Sequence, residues 1–265
     1  MGYRKGLVYF IDVLGTKDRD FEMNLSIATQ FRGEMKNVQE RHRKTSVGDR
    51  GVFSFSDCAY IVYALKEEHK DDEETRLNYI YQSLYNTTQT IATFLSKGFL
   101  CRGGVTYDDV HFNLDDNIIF GPAVNQAYLL ESRIAKYPNI VLDDSLAEEI
   151  LKFDEDLKQK NPMALMQNGQ ILRRNESTNR YYLNYMNYLC GVSFAGLGTR
   201  GYSFEQLYYE AIRNSEEEIA RNVGNDSVIE KHRWQIEYLN SVKVERGSEI
   251  EIDPITLLDI EHRTV

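Results

Sequence analysis

Two apolar runs of strand length, each interrupted by one aspartate, constrain this chain more than any other feature. Residues 7–17 read LVYFIDVLGTK and residues 52–63 read VFSFSDCAYIVY, with Asp12 and Asp57 at the interruptions. An isolated carboxylate is costly to bury unless it is paired or binds a cation. Two such aspartates on neighbouring strands would form a site for a divalent metal ion, although residues that cap turns at strand ends also fit this pattern.

The residues after Asp12 indicate what such a metal ion would hold. Gly15 allows a tight turn, and the amides that follow it, at the start of a helical pattern, would form a favourable place for phosphate. Mg²⁺ prefers one or two carboxylates together with phosphate oxygens. The N-terminal stretch therefore predicts a site for a metal-bound nucleoside triphosphate.

Composition and charge narrow the class of protein. The chain has 265 residues, 42% of them hydrophobic, which is ample for a buried core. A net charge of −10 argues against a protein that coats nucleic acid. Cys58, Cys101 and Cys190 are far apart and indicate reduced thiols. We find no signal pattern and no apolar stretch near the roughly 20 residues of a membrane span, and we expect a cytoplasmic protein without membrane or nucleic-acid partners.

The hydrophobic pattern predicts alternating strands and helices up to about residue 152. The predicted strands are 6–14, 52–56, 58–65, 99–107 and 140–142, and the predicted helices are 20–44, 73–97, one beginning at Gly121-Pro122, and 144–152. Residues 46–51 are predicted to be a turn and residues 108–117 a polar connection. This order fits an α+β fold in which helices cover a mixed, largely antiparallel sheet. Arg102-Gly103-Gly104 inside a strand indicates that another backbone or a ligand passes close.

The last third of the chain has a different residue pattern. Asn168-Gly169 is typical of a hairpin turn, and residues 191–201 form a glycine-rich segment. A strand is predicted over 180–189 and helices over 203–222 and 227–242.

Four motifs, in their order and spacing over about residues 6–145, resemble class III nucleotidyl cyclases. They are Phe10-Ile-Asp12-Val-Leu-Gly15-Thr16, Ser56-Asp57, Arg102-Gly-Gly-Val and Phe120-Gly-x-x-Val-Asn125-x-Ala-x-x-x-Glu131-Ser132. The resemblance implies a ferredoxin-like or palm-like α+β fold. Residues 1–157 would form the cyclase catalytic core, and residues 158–265 a C-terminal hairpin and helical α/β extension packed on it. It also implies a homodimer with shared active sites.

The resemblance assigns roles to individual residues. Asp12 and Asp57 would bind two Mg²⁺ or Mn²⁺ ions, with the Val13 carbonyl as a further ligand, and the turn through Gly15 and Thr16 would hold phosphates. Asn125 would orient the ribose and the reacting phosphate. The ribose 3′ hydroxyl would attack the α-phosphate, one metal ion lowering the pKa of the hydroxyl and the other offsetting charge on pyrophosphate.

Two departures from purine cyclases concern base recognition. Phe53 and Ile118 stand where those enzymes commonly carry polar residues that read the purine edge, and a pocket without these hydrogen bonds should discriminate poorly in favour of a purine. Phe53 and Tyr60, if they face the pocket, would favour a smaller base. The pattern resembles the pyrimidine cyclases of bacterial Pycsar anti-phage systems. That resemblance implies conversion of UTP or CTP, UTP slightly favoured, into a 3′,5′-cyclic monophosphate that activates a separate effector.

A third departure concerns the transition-state arginine, because Leu129 stands at its usual place, four residues after Asn125. Arg102 and Arg133 are the candidates to replace it. A surface ion pair is the better explanation of Arg133, and Arg102 is favoured because the glycines beside it would leave room for an approaching ligand. The missing arginine leaves open a non-catalytic nucleotide-binding sensor. A palm-type polymerase or oligonucleotide synthetase would need an acceptor site, for which the acidic chain offers no basic track. Retention of both Asp12 and Asp57 favours the cyclase, because a pure binder has little need of two metal carboxylates.

Overall fold

Eight strands form one sheet in the computed structural model, which describes residues 2–16, 19–41, 47–160, 170–186 and 204–246. The strands are β1 (Arg4–Val13), β2 (Gly48–Phe55), β3 (Cys58–Leu65), β4 (Cys101–Asn113), β5 (Ile118–Phe120), β6 (Ile140–Leu142), β7 (Leu172–Asn175) and β8 (Arg180–Leu183). The α-helices of the described part are α1 (Phe21–Arg41), α2 (Glu73–Leu95), α3 (Pro122–Leu129), α4 (Asp144–Lys160), α5 (Phe204–Arg221) and α6 (Asp226–Arg246). A 3₁₀ turn, Glu67–His69, follows β3, and a π-helical turn, Leu130–Ile134, continues α3.

The sheet has a ferredoxin-like centre. Its strand order is β2-β3-β1-β4-β6-β8-β7, with β5 paired to β4. Strand β1 lies between β3 and β4 and is antiparallel to both, whereas β4 and β6 are parallel. Because the first six elements run βαββαβ, the order β2-β3-β1-β4 gives the ferredoxin-like arrangement. The predicted α+β class, with a largely antiparallel sheet and helices, is confirmed.

The described chain divides into two compact units. The first comprises Met1–Thr87, Cys101–Asp156 and Leu172–Leu183 and contains the whole sheet. The second comprises Thr88–Leu100, Leu157–Ile171 and Asn184–Val265. In it, α5 and α6 bury apolar side chains that include Leu207, Ile212 and Leu239. The Tyr238 hydroxyl donates to Oδ1 of Asn184 at 2.9 Å and accepts from the Met186 amide at 3.0 Å.

The two faces of the sheet differ in what covers them. Phe10 and Asp12 of β1 share a face with Phe53 and Tyr60, and α3 packs on this face through buried residues such as Ala127. We call it the α3 face. Side chains on the opposite face meet α2, because the hydroxyls of Tyr9 and Ser83 lie 3.3 Å apart. We call that face the α2 face.

Several predicted boundaries were wrong. Strand β4 continues to Asn113 instead of ending at residue 107, because residues 108–110 pair with β1 and residues 111–113 pair with β5. Lys5 of β1 also binds Asp108 at 2.8 Å and Asp109 at 3.3 Å. The three-residue β5 was not predicted. Strand β2 begins at Gly48, inside the predicted turn, and β8 ends at Leu183. The predicted start of α3 at Gly121-Pro122 is confirmed.

Two sequence signals, Asn168-Gly169 and the glycine-rich segment 191–201, lie outside the described residues, as does Cys190. The predicted division near residue 157 stays a prediction. Across the part of the chain that the structure describes, no helix combines the length and the apolar character needed to cross a membrane.

Candidate active site

The hairpin between β2 and β3 places Asp57 beside the end of β1. Asp12 pairs with Cys58 in the β1–β3 register, and the Val13 amide donates a hydrogen bond to the Asp57 carbonyl at 3.0 Å. Ser56 adopts a left-handed conformation, with φ 45°, at the tip of the hairpin. Such a conformation is uncommon for a residue other than glycine and marks a tightly determined turn. The structure therefore brings Asp12 and Asp57 together at one end of the sheet.

The turn after β1 folds back onto the same hairpin. The Thr16 hydroxyl donates a hydrogen bond to Oδ2 of Asp57 at 2.6 Å. Gly15 has φ 83°, a region that glycine enters without steric cost. Arg19 Nε donates to the Gly15 carbonyl at 2.9 Å, which closes the turn. Thus Val13, Gly15 and Thr16 lie beside the two aspartates, and their roles as metal and phosphate ligands stay predictions.

Arg102 lies on the other side of Asp12. It pairs with Asp12 in the β1–β4 register, and its Nη2 lies 3.8 Å from Oδ2 of that carboxylate. Arg102 Nε also donates a hydrogen bond to the carboxylate of Glu131. Glu131 is only 3% exposed. Because a buried carboxylate is stable only with a partner, Glu131 and Arg102 depend on each other for their positions.

The glycines after Arg102 accommodate the chain's own backbone. A Cβ at Gly103 would lie 2.3 Å from the Phe10 carbonyl oxygen, and one at Gly104 would lie 2.3 Å from the Ala127 carbonyl oxygen. The expectation that another backbone passes close is confirmed. The space that these glycines were expected to leave for a ligand beside Arg102 is filled by β1 and α3, so that part of the reasoning for Arg102 was wrong.

Glu131 is the site residue to which sequence reasoning gave no role. The sequence contains a signal for this role, because Glu131 is an acidic residue on the helix face that also carries Ala123, Ala127 and Leu130, all of which are buried. A carboxylate on such a face needs a cation, and Arg102 supplies it. Glu131 lies in the π-helical turn that ends the helix, and π-turns of this kind are frequent at functional sites.

The electrostatics of the site are dominated by carboxylates. Burial, and to a smaller extent the charges of Asp12, Asp57 and Glu131, together raise the pKa of the half-buried Cys58 thiol to about 11. Burial likewise raises the pKa of Tyr60 to about 12, with smaller contributions from neighbours that include Glu131. Each shift disfavours a further negative charge. A cation would be attracted to the same place.

The donor set at this end of the sheet fits Mg²⁺ or Mn²⁺ that arrives with a triphosphate. Two carboxylates, from Asp12 and Asp57, and the backbone carbonyl of Val13 are hard oxygen ligands. Within the described ranges, no group of three or more His, Cys, Asp or Glu side chains could hold a metal ion. A set of two carboxylates suits a metal ion whose remaining ligands are water and substrate phosphates.

Two of the three residues assigned to the base, Phe53 and Tyr60, lie side by side on the α3 face, and the third, Ile118, lies in the strand next to their cluster. Phe53 and Tyr60 pair across β2 and β3 on the α3 face, and the Tyr60 ring lies 4.7 Å from that of Phe10. Phe53 is only 1% exposed and packs in the core. Ile118 is 43% exposed and pairs with Asn113, at the opposite end of β4 from Arg102. The next residue, Ile119, pairs with Phe112, whose ring lies 6.3 Å from that of Phe53.

Asn125 and Arg133 are exposed, and they lie on the helical segment that includes α3 and its π-turn. The backbone amide of Asn125 donates to the Gly121 carbonyl at 3.3 Å, and no hydrogen bond joins its side chain to a described residue. Arg133 makes no ion pair with any residue in the described ranges, so the surface ion pair considered for it is not formed there. Among the described residues, neither makes a hydrogen bond or ion pair with Asp12 or Asp57 of its own chain.

The chain is similar in structure to cyclase domains, each at 14% sequence identity. The catalytic core of a rhodopsin-guanylyl cyclase with converted specificity, in complex with ATPαS, matches 69% of this chain and 97% of its own length, with a TM-score of 0.40. The monomeric guanylyl cyclase domain of the RhoGC fusion protein from the aquatic fungus Blastocladiella emersonii matches 69% and 96%, with a TM-score of 0.41. A bacterial light-regulated adenylyl cyclase matches 80% and 100%, with a TM-score of 0.36.

No protein-family model matches the chain, and no curated protein matches it in sequence. Structural similarity of this extent does not establish an activity. The activity of this chain is therefore inferred from its own residues.

Proposed function

We propose that this protein is a pyrimidine nucleotide cyclase that converts UTP or CTP, UTP slightly favoured, into the 3′,5′-cyclic monophosphate and pyrophosphate. The observation that carries the proposal is the juxtaposition of Asp12 and Asp57, made by the Val13–Asp57 hydrogen bond and the β1–β3 register. Two carboxylates side by side serve little purpose in packing and suit two divalent cations.

The residues around the aspartates suit a triphosphate. Asp12, Asp57 and the Val13 carbonyl would hold the cations, which when bound supply Lewis acidity to the ribose 3′ hydroxyl and to the leaving pyrophosphate. The turn at Gly15 and Thr16 borders Asp57 and would receive phosphate oxygens. In the reaction the 3′ oxygen forms a bond to the α-phosphorus, and the bond from that phosphorus to the bridging oxygen of the β-phosphate breaks. The hydroxyl proton leaves to solvent, and pyrophosphate is released.

Arg102 would neutralise charge on the triphosphate. Glu131 accepts from its Nε, which fixes the guanidinium plane, and Nη2 lies 3.8 Å from Oδ2 of Asp12. A planar guanidinium held in this way can donate two hydrogen bonds to phosphate oxygens. Arg102 would thus take the role of the transition-state arginine, whose usual place is occupied by Leu129. Arg133, exposed on the helix, would reach a site on another copy.

A homodimer with shared sites is part of the proposal. Asn125 and Ile118 belong to the resemblance-based site but, among the described residues, make no hydrogen bond or ion pair with Asp12 of their own chain, so a second copy would have to bring them. Large apolar side chains near them are exposed, among them Phe120 and Tyr128, both at 48%. Exposed apolar groups of this size often mark an interface with another protein.

Pyrimidine specificity is supported by the apolar nature of the residues assigned to the base. Phe53 offers no hydrogen bond to a purine edge, and the rings of Phe10 and Tyr60 reduce the room on the α3 face. A site that cannot pair the polar edge of a purine loses its preference for one. The cyclic product would then act as an alarm signal in anti-phage defence and activate a separate effector.

The decisive experiment incubates the purified protein with ATP, GTP, CTP and UTP separately, with Mg²⁺ or Mn²⁺, and identifies products by mass spectrometry. We expect a cyclic monophosphate from UTP or CTP. Asp57→Ala should abolish turnover, whereas Asp156→Ala, which removes an exposed aspartate of α4, should leave it unchanged. Cyclic AMP or cyclic GMP as the main product would contradict the pyrimidine assignment.

The absence of an arginine at Leu129 supports one alternative, a nucleotide-binding sensor without turnover. It predicts that UTP or CTP binds in calorimetry while all four nucleotides remain unconverted.

Shared sites can be tested by mixing two inactive variants. A heterodimer of Asp57→Ala and Asn125→Ala chains would contain one site with neither change and should regain up to half of the wild-type activity per dimer. Failure of this rescue in a demonstrably mixed dimer would argue against shared sites.

A further inference from the structure

We propose that the α2 face of the sheet carries a second site, which binds a small organic anion through Arg50. Arg50 of β2 pairs with Tyr63 of β3, so its side chain lies on the face opposite to that of Asp12 and Tyr60. The proposal is independent of the cyclase assignment, because none of its residues belongs to the metal site.

Arg50 is a buried cation with part of its guanidinium unpaired. The residue is 3% exposed. Its Nη1 donates to the Tyr63 hydroxyl at 3.3 Å, and its Cζ lies 5.6 Å from the centre of the Tyr63 ring. Neither Nε nor Nη2 has a hydrogen-bond partner within the described ranges. Buried donors without partners are rare and costly, and for a charged group the cost is greatest.

The two unpaired nitrogens define what would satisfy them. Nε and Nη2 form one edge of the guanidinium plane, and this edge donates two parallel hydrogen bonds to a carboxylate or a phosphate. Nη1, which faces the Tyr63 hydroxyl, lies outside that edge. The arginine is therefore held by its tyrosine with its anion-binding edge unpaired.

No described residue that lines the cavity beside Arg50 is acidic. Arg50 lines a cavity of about 550 Å³, whose other lining side chains include Thr75, Asn78, Gln82 and Ser83 of α2 and none that is acidic. The neighbouring Asp49 is bound by Arg4 at 2.8 Å. In a chain with a net charge of −10, a buried arginine beside a cavity without carboxylates indicates that the anion comes from outside the protein.

The cavity also indicates the size and polarity of the rest of the ligand. Its volume lies in the range of small-molecule sites. Tyr63 and Tyr79 line it, with ring centres 5.9 Å apart, and amide and hydroxyl groups of α2 supply the remaining surface. Such a lining suits a compact aromatic or apolar molecule with one carboxylate or phosphate group. Carboxylates and phosphates share the anionic group that Arg50 would bind, and benzoate and phenyl phosphate are the probes that distinguish them.

The test uses the full chain in EDTA, so that a metal-dependent site is silent. Phenyl phosphate and benzoate are titrated by calorimetry. We expect one of them to bind with a stoichiometry of one, and binding to Arg50→Met to be weaker by about tenfold or more, as expected for loss of charged hydrogen bonds. Two controls should bind like the wild type. They are Arg213→Met, which removes an exposed arginine, and Asp57→Asn, which alters the proposed cyclase site.

A second measurement separates a binding role from a structural one. Without ligand, Arg50→Met should unfold at a higher urea concentration than the wild type, because the change removes an unpaired buried charge. The probe that binds should raise the unfolding midpoint of the wild type and leave that of the variant unchanged. Arg50→Lys keeps the charge but loses the two-donor edge, and it should also weaken binding.

Three outcomes would overturn the proposal. They are equal binding to the wild type and to Arg50→Met, no binding of either probe, and a ligand-free Arg50→Met protein that is less stable than the wild type.

Discussion

Nη2 of Arg102 lies 3.8 Å from Oδ2 of Asp12, on the strand directly opposite. A guanidinium thus stands beside a carboxylate that we assign to metal. In the absence of nucleotide, Arg102 and a divalent cation would compete for Asp12, whereas a bound triphosphate would give Arg102 another partner. The order in which the metal ion and the triphosphate bind can therefore be measured.

Removal of Arg102 should strengthen the binding of a metal ion without nucleotide. Arg102→Met takes away a positive charge next to Asp12, and an interaction of about 1 kcal/mol between partly exposed charges corresponds to roughly fivefold in affinity. Titration of Mn²⁺ followed by electron paramagnetic resonance would measure it. With UTP present, the same variant should bind Mn²⁺ and nucleotide together less tightly than the wild type. Equal Mn²⁺ affinity for the two proteins would contradict the assignment of Asp12 to metal.

The Arg102–Glu131 pair should show strong coupling in stability. Arg102→Met leaves a carboxylate that is 3% exposed without its partner, which should cost about 3 kcal/mol or more in the free energy of unfolding. Adding Glu131→Met should recover most of that loss, since a buried ion pair replaced by apolar groups of similar size is often close to neutral. Urea denaturation of the wild type, both single variants and the double variant gives the cycle. Additive losses would mean that the pair is not formed in solution.

Gly104 should tolerate no side chain. Gly104→Ala would place a Cβ 2.3 Å from the Ala127 carbonyl oxygen and 2.5 Å from the Leu130 Cβ, so that α3 would have to move away from the sheet. We expect a loss of at least about 2 kcal/mol in the free energy of unfolding, as for overpacked cores. Gly33→Ala is the matched control, because nothing lies within 4 Å of its Cβ in α1, and it should stabilise the protein by up to about 1 kcal/mol. Similar effects at both glycines would contradict the close approach of α3.

The Cys58 thiol should react slowly with alkylating agents near neutral pH. Its pKa is raised to about 11, so that at pH 8 roughly one thiol in a thousand is the reactive thiolate. The rate should rise through pH 11, because a raised pKa keeps the thiol neutral below that value. Asp12→Asn removes one of the negative charges responsible and should lower the pKa and raise the rate at pH 8. Alkylation followed by peptide mass spectrometry separates Cys58 from the other cysteines, and an unchanged rate in the variant would contradict this electrostatic account.

Sequence reasoning identified the two aspartates because the free-energy cost of burying a carboxylate is evident from the apolar residues next to it in the sequence. Asp12 and Asp57 each interrupt an apolar run, and the hairpin signal around Asp57 was enough to predict that β2 and β3 pair, which the register confirms. The start of α3 was equally local, since Gly121 and Pro122 mark it by their own backbone preferences.

The features that escaped prediction depend on residues distant in sequence. The length of β4 is supported by Lys5 on the neighbouring strand, which no local pattern around Asp108 reveals. The pairing of Arg102 with Glu131 requires α3 to lie on the sheet, and the cavity beside Arg50 requires α2 to lie on the other face. Each is a property of packing between elements.

The pairing of β1 with β4 also has a consequence for folding kinetics. It joins Asp12 to Arg102, ninety positions along the chain, and the intervening α1, β2, β3 and α2 must be synthesised before the two strands can meet. Contacts of such long sequence separation form slowly, because the entropy of closing the loop is lost before they stabilise the chain. A nascent or truncated chain that ends before β4 would therefore lack Arg102 beside Asp12, and the paired site would form only after β4 has left the ribosome.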